Sequence, residues 1–392
     1  MTSQFEYGSI TNPEEAEKLG VILNQCFNSP PNSWQTYSDR IGLENFRIIR
    51  QGGQLMGGLA IYQMGQYYGL ESVPMGGIAA VGIAPEYRGS GAAIALMQHV
   101  VKELYAKGLP ISVLYPATQR LYRKAGYEQG GIYCSWEIPT ETIQIKDNNL
   151  PIKSVTSSSY EVFKDLYHQQ AKVNNGNLDR NQSIWNGAIK TQSEEPVYAY
   201  LIGKETQPEG YIILTQYQED NNNLILIKDW VVLTPAAGKS LWTFLAGHRS
   251  QIKKVRWCSS PVDPLTLLLP EQTAKIRSLE RWMLRVIDVP QALEKRGYPL
   301  GIETELHLQV EDELLPENNG KFVLKVSNGR GEITKGGKGE LHLDVRGLAP
   351  LYTGLFAPHQ LQLAGKLEAT ETALSVATSL FAGSQPWLPD FF

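Results

Sequence analysis

Residues 78–93 read IAAVGIAPEYRGSGAA: small apolar residues, then Pro85, Arg88 and a tract of small residues, Gly-Ser-Gly-Ala-Ala. The apolar run to Ile83 suits a buried strand, and Pro85 closes it because proline cannot donate to a ladder. From Gly91 onward Ala93, Met97, Val100 and Leu104 recur at helical spacing, with Gly108 as the C-terminal stop. The stretch therefore reads as strand, turn and helix. So little side chain serves either close packing of helix on strand or a backbone that is itself a working surface. On the second reading, the first N–H groups of the helix have no partner within it. Gly89 and Gly91 lack the β-carbons that would hold an anion away. The helix dipole and Arg88 both favour negative charge, and a pyrophosphate would fit.

The same order extends to either side. Residues 5–10 read as a short strand, and NPEEAEKLGVILNQCF as a helix with Asn12 as cap and Pro13 in its first turn. A polar stretch holding Trp34 and Tyr37 reads as a loop. Two strands follow, joined at Gly52-Gly53, a hairpin signal. Beyond the central helix, ISVLYP is a strand and ATQRLYRKAGY a further helix. From Pro151 to about residue 285 this order returns in weaker form. The last hundred residues change character: ETELHLQV, KFVLKV, GELHLDV and HQLQLAG alternate apolar and polar residues, the mark of strands covered on one face. A helix carrying Leu374 and Leu380 follows, and the tail SQPWLPDFF is too apolar to be left loose in water.

With 392 residues, 42% of them apolar, the chain can bury more than one core. A net charge of −4 gives no reason to expect nucleic acid as a partner. No apolar run approaches the roughly 20 residues of a membrane span, and MTSQFEYGSI lacks the features of a secretory leader, so a cytoplasmic protein is expected. Cys26, Cys134 and Cys258 match no zinc or redox spacing, the six histidines have no ligand spacing, and no metal is expected. Gly238-Lys239-Ser240 looks like the end of a phosphate-binding loop, but the glycine required five residues earlier is Leu233. Glu103 and Glu128 read as solvated charges rather than bases.

Arg88, Gly91 and Ala93, preceded by AVGIAPEYRG and followed by LYRKAGYE, resemble the acetyl-CoA signature of the GCN5-related N-acetyltransferases (GNAT). The resemblance implies acetyl-CoA bound along Val81, Gly82, Ile83, Arg88, Gly89, Ser90, Gly91, Ala92, Ala93 and Thr118. The strand at residues 81–83 would splay from its neighbour, and a backbone N–H there would polarise the thioester carbonyl. It also implies Tyr122 as the acid that protonates the departing thiolate, while Tyr127 reads as structural.

A good GNAT unit, a degenerate one and a closing α+β domain, with RWMLRVIDVPQALEKRGYP at the third domain's entrance, resemble the enhanced-intracellular-survival (Eis) acetyltransferases. The implied fold is α/β: tandem mixed, mostly antiparallel sheets flanked by helices, then a domain like sterol carrier protein 2 (SCP2). The implied domains are 1–150 for catalysis, 151–285 degenerate and 286–392 sterol-carrier-like, with Arg285, Asp288 and Pro290 structural at the junction. By the same resemblance the carboxylate of Phe392 is the base, positioned by Phe391, Trp387 and the tail prolines. Trp34, Tyr37, Asp39 and Asp390 are candidates for lining the acceptor pocket. The acceptor would be the primary amine of an aminoglycoside, polyamine, peptide or lysine, and the assembly a homo-oligomer, a hexamer in that family. Two rival readings are a lipid carrier and an acetyl-CoA-sensing pseudoenzyme, both using the GNAT units as scaffold.

Overall fold

The computed structural model describes residues 5–30, 32–146, 149–156, 159–190 and 195–392. Two compact units divide them: Met1–Gly131 with Arg281–Ser384 and Phe392, and Ile132–Glu280 with Gln385–Phe391.

In the first unit, strand β1 (Glu6–Ser9) leads to helix α1 (Pro13–Phe27). Asn12 caps α1, its side chain accepting from the Glu15 N–H at 3.0 Å. The stretch expected to be a loop is instead helix α2 (Ser33–Ile41). Its stripe at helical spacing decides this: Ser38 and Ile41 are buried, and Trp34 and Tyr37 meet the Phe46 ring edge-on at 5.1 and 5.9 Å. Strands β2 (Phe46–Gln51) and β3 (Gln54–Tyr68) turn at Gly52 and Gly53, whose φ angles of 55° and 74° are those of a primed two-residue hairpin. Strand β4 (Glu71–Ile83) runs antiparallel to β3, and helix α3 (Ala92–Ala106) follows. Strand β5 (Ile111–Leu114), helix α4 (Gln119–Arg123) and strand β6 (Glu128–Pro139) complete the order.

The core of this sheet lies under α3. Leu96, Met97, Val100, Val101 and Leu104 are fully buried against Leu59, Ile61, Ile78 and Ile83. Each such side chain contributes about 2 kcal/mol. Glu103, on the flank of α3 that meets β1 and β2, is not solvated as expected. It accepts from Arg47 at 2.7 Å, from Lys107 at 2.6 Å and from the Tyr7 hydroxyl. Glu128 is likewise enclosed, paired with Arg123 at 2.7 Å. Both carboxylates tie elements together.

Residues 281–384 return to the same unit. Met283 to Val286 pair antiparallel with β5. Arg285 is buried with Asp312 at 2.6 Å, and Asp288 caps the helix Val289–Lys295, which holds Pro290. A five-stranded sheet follows, in the order Arg330–Lys335, Gly320–Ser327, Thr304–Glu311, Leu341–Asp344, Glu368–Ala369. Its alternation is real: Leu306, Leu308, Val310, Phe322, Leu324 and Val326 are buried. HQLQLAG, expected as a strand, is instead the helix Pro358–Leu363. Pro358 opens it, Gln360 accepts from the Ala357 N–H at 2.9 Å, and of the alternating leucines Leu361 is buried while Leu363 is 89% exposed.

The second unit repeats the plan. Strands Ile152–Val155, Val197–Lys204, Gln207–Glu219 and Asn222–Val232 pair antiparallel in turn. Strand Lys254–Cys258 then runs parallel to the last and antiparallel to the second half of β6. Gly238-Lys239-Ser240 lies inside the helix Pro235–Ala246, so these residues form no phosphate loop. Of the tail, Trp387 and Leu388 are buried in this unit. Among the described residues no helix is long and apolar enough to cross a membrane.

Candidate active site

The parallel pairing of β4 with β5 starts at Met75 opposite Ile111 and stops at Ile78 opposite Leu114. Strand β4 continues to Ile83, and there it pairs only with β3 among the described strands, Gly82 opposite Gly58 and Ile83 opposite Gly57. The register slips between Gly58 and Ala60, and Ala80 has φ of 50°, a left-handed conformation that costs a residue bearing a β-carbon about 1 kcal/mol. The two strands thus part, and the backbone of Val81, Gly82 and Ile83 presents one edge without a ladder.

The glycines beyond that edge separate the two uses of small side chain. A β-carbon at Gly82 would lie 2.7 Å from Leu23 Cδ2 and 3.3 Å from Cys26 Sγ, so here α1 packs on the strand. A β-carbon at Gly89 would have nothing within 4 Å, and one at Gly91 would meet only Phe5 Cε2 at 4.0 Å. What asks for glycine at these two positions is backbone conformation, φ of 85° and 94°. Arg88, Gly89, Ser90 and Gly91 are exposed, Ala92 is buried and Ala93 half-buried at the start of α3. Ser90 Oγ accepts from the Ala92 N–H at 3.3 Å. Arg88 Nη2 lies 3.7 Å from Cys26 Sγ, so its charge has only a weak partner there. An open cradle of helix-start amides beside an exposed guanidinium fits a pyrophosphate.

Tyr122 on α4 is buried in the same apolar cluster as Ile78, Ile83 and Leu114. Its hydroxyl has no hydrogen-bond partner among the described residues. Burial pushes its pKa up to about 12, so the proton stays on at neutral pH. Tyr127, whose ring is 6.3 Å away, instead has its hydroxyl 2.8 Å from Ser112 Oγ, deep in the core. Thr118, at the cap position of α4, is exposed and makes no capping bond.

Phe392 lies against the middle of the sheet. Its ring is 5.8 Å from those of Tyr62 on β3 and Tyr115 after β5, and it approaches Gly77 on β4. Tyr62 hydrogen-bonds with Tyr37 and with Arg40 of α2, and the Arg40 guanidinium sits 5.4 Å over the Tyr37 ring. Of the expected acceptor residues, Tyr37 therefore reaches the terminal residue through Tyr62. Trp34 does not: it fills the space above Gly20 and against Phe46. Asp39 is exposed and accepts from Gln35 Nε2 at 2.7 Å. Asp390 is buried in the second unit in an ion pair with Arg180 at 2.9 Å. Tyr62, Tyr115 and Arg40 were not singled out from the sequence. The available signal was Gly76-Gly77 in mid-strand, where missing side chains mark a close approach. Among the described residues no group of His, Cys, Asp or Glu is placed to hold a metal ion.

An open strand edge feeding a glycine-led helix start is the arrangement on which the sequence resemblance would lay a coenzyme A thioester. Comparison with known proteins agrees with this. Residues 9–130 and 176–286 each match an acetyltransferase (GNAT) domain, and residues 289–389 a sterol carrier protein domain. The crystal structure of a GCN5-related N-acetyltransferase from Anabaena variabilis is 57% identical, with a TM-score of 0.97 over 99% of this chain and 100% of that one. An uncharacterized N-acetyltransferase of Streptomyces griseus is 26% identical over 98% of this chain and 99% of its own length. N-acetyltransferase Eis of Mycobacterium tuberculosis is 24% identical over 93% and 94%. The chain belongs to the GCN5-related N-acetyltransferase family, in the Eis-like form that joins two such domains to a sterol-carrier domain. It is an acetyltransferase whose co-substrate, as its GNAT domains imply, is acetyl-CoA. As whole-chain functions, the carrier and sensor readings give way to this.

Proposed function

We propose that acetyl-CoA binds along Val81, Gly82 and Ile83 with its phosphates at Arg88 and the start of α3. A primary amine attacks the thioester directly, Tyr122 protonates the sulfur, and the carboxylate of Phe392 takes the proton from the amine. The observation that carries this is the place of the terminal residue: its ring lies over Gly77, one residue before Ile78, where β4 and β5 part. The departing sulfur takes up a proton to leave as the thiol, and Tyr122 keeps one to give at neutral pH. An α-carboxylate is a weak base in water, and in this reading it works where the rings of Tyr62 and Tyr115 pack against that of Phe392.

The surroundings of the terminal residue also bear on the acceptor. Tyr37, Tyr62 and Tyr115 are neutral, Arg40 is cationic, and the two carboxylates considered from the sequence, Asp39 and Asp390, are engaged elsewhere. A polycationic aminoglycoside or polyamine gains little from such a lining. A peptide or single amine fits it better. Assembly into a homo-oligomer, a hexamer by resemblance, belongs to the same proposal and is checked by sedimentation.

The test is a chain extended by one residue beyond Phe392, which moves the carboxylate and leaves every internal side chain in place. Thiol release from acetyl-CoA, measured across aminoglycosides, polyamines and lysine peptides, is expected to fall at least a hundredfold. Unchanged turnover would remove the proposed base.

A further inference from the structure

The second unit carries the same strand opening as the first, with other contents. Strands Asn222–Val232 and Lys254–Cys258 pair in parallel only where Leu224, Ile225 and Leu226 face Lys254, Val255 and Arg256. The longer strand then continues past a register slip that leaves Lys228 unmatched, as β4 does beyond Ile78. Where the two part, Asn177, Asp229, Trp230 and Cys258 line a small recess together with Trp387 and Pro389 from the tail.

The tail is held there as a peptide ligand is held. The Ile132 N–H donates to the Pro386 carbonyl at 3.0 Å, and the Leu388 N–H to the Ile132 carbonyl at 3.0 Å. The Trp387 N–H donates to the Asn175 carbonyl at 3.0 Å, and Asn177 Nδ2 donates to the Trp387 carbonyl at 2.9 Å. Three residues further on, Arg180 forks between two carboxylates. Its Nη1 and Nη2 donate to Asp229 at 2.6 and 3.0 Å, and Nε and Nη2 reach Asp390 at 3.1 and 2.9 Å. The guanidinium stacks on the Tyr167 ring at 3.8 Å and lies 4.7 Å from that of Trp185. Tyr211 donates to Asp229 at 2.7 Å. Arg180 and Asp229 therefore satisfy each other before the tail arrives, and the Nε–Nη2 edge of the guanidinium remains for one more carboxylate. A site complete but for one partner is preorganised.

We propose that the opening of the second acetyltransferase domain is a binding cleft for the chain's own C-terminal segment, and that Arg180, through Asp390, is the positioning residue that sets the register of Phe392. The catalytic half of this inference rests on the carboxylate reading above; the binding half does not. Register matters because Asp390 is two residues from the terminus, and a slip of one residue carries the carboxylate about 3 Å. Arg180 touches none of the residues assigned to acetyl-CoA or to the transfer.

Arg180→Gln and Asp390→Asn are compared with the wild-type protein. The second, nearly isosteric, leaves the Arg180–Asp229 pair intact, so it tests the idea even where the first fails to fold. Three quantities are read on the folded proteins: the rate at which a carboxypeptidase releases Phe392 and Phe391, kcat with KM for acetyl-CoA, and melting temperature. Release at least tenfold faster, kcat at least tenfold lower, KM for acetyl-CoA within twofold and partial rescue by Asp390→Glu are expected. Wild-type release rates in Asp390→Asn would overturn the cleft. Faster release with unchanged kcat would overturn the positioning role. The chain extended beyond Phe392 tells the two readings apart. If extension is harmless, the carboxylate reading fails and release alone decides the cleft; if extension is damaging while Asp390→Asn is silent in both release and kcat, the cleft fails alone.

Discussion

The ring of Phe392 occupies the space where Gly77 has no side chain: a β-carbon at 77 would come within 2.7 Å of its Cε2 and within 2.5 Å of Met64 Cε. A mid-strand glycine and the last residue of the chain are thus a fitted pair, and the fit is what keeps the terminus over the sheet. Both clashing atoms are ends of side chains that can move, so Gly77→Ala should cost only about 1 kcal/mol of stability. The displaced ring takes the terminus with it. We expect kcat to fall about tenfold while KM for acetyl-CoA changes less than twofold, read by steady-state kinetics beside a melting curve. A fall in stability with full turnover would show that the ring is only packing.

Tyr122 offers a cleaner separation of chemistry from folding. Its hydroxyl has no hydrogen bond to lose among the described residues, so Tyr122→Phe should melt within a degree or two of wild type. As the proposed acid, its loss should lower kcat by about 10² or more. Burial raises its pKa to about 12 from an unfolded value near 10, and a raised pKa contributes stability that is present below pH 10 and lost as pH rises through 12. Tyr122→Phe should therefore lack that alkaline loss, and the wild-type rate should show no limb from this group below about pH 10. Wild-type turnover in the variant would return Tyr122 to the core.

What could be read in advance followed from local rules. Gly52-Gly53 specified a hairpin and Asn12-Pro13 a helix start because the information lies within a few residues. Helix α2 was missed because its stripe is short and mostly polar, and Asn32 at its cap position makes no capping bond. HQLQLAG misled because alternation over five residues also fits one helical turn and a half, and only burial distinguishes Leu361 from Leu363. Around the site, the glycines and Arg88 were legible as a run. Arg180 and Asp390 stand 210 residues apart, and the contacts of Phe392 with Tyr62 and Tyr115 are equally non-local, so no spacing could announce them.

Glu103 governs an acid limb of stability. Burial alone would raise its pKa, but hydrogen bonds from Arg47, Lys107 and Tyr7 outweigh that and hold it at about 2. A depressed carboxylate contributes stability above its unfolded pKa near 4.5 and loses it as pH falls through 2. Melting temperature followed from pH 6 to pH 2 should therefore drop less steeply in Glu103→Gln than in wild type below pH 4.5. At pH 7 the variant should be about 2 kcal/mol less stable, because Arg47 loses its charged partner. Since Glu103 faces away from the strand opening, kcat at pH 7 should stay within twofold; a large loss of turnover with an unchanged acid limb would give it a part in the chemistry.

Gly82 and Gly89 stand seven residues apart in one run of small residues, and the structure gives them opposite reasons. At Gly82 a methyl group meets Leu23 at 2.7 Å, so Gly82→Ala should cost about 2 kcal/mol through overpacking between α1 and β4. At Gly89 a methyl group meets nothing, and Gly89→Ala should cost only about 1 kcal/mol, the strain of φ at 85°. That methyl group would nevertheless stand in the cradle where the phosphates are placed. The expected pattern is a larger fall in melting temperature for Gly82→Ala and a larger rise in KM for acetyl-CoA, about tenfold, for Gly89→Ala. Paired melting and kinetic measurements on the two variants check it. If both lose stability and neither loses coenzyme affinity, the whole run is a packing seam, and the phosphates of acetyl-CoA bind elsewhere.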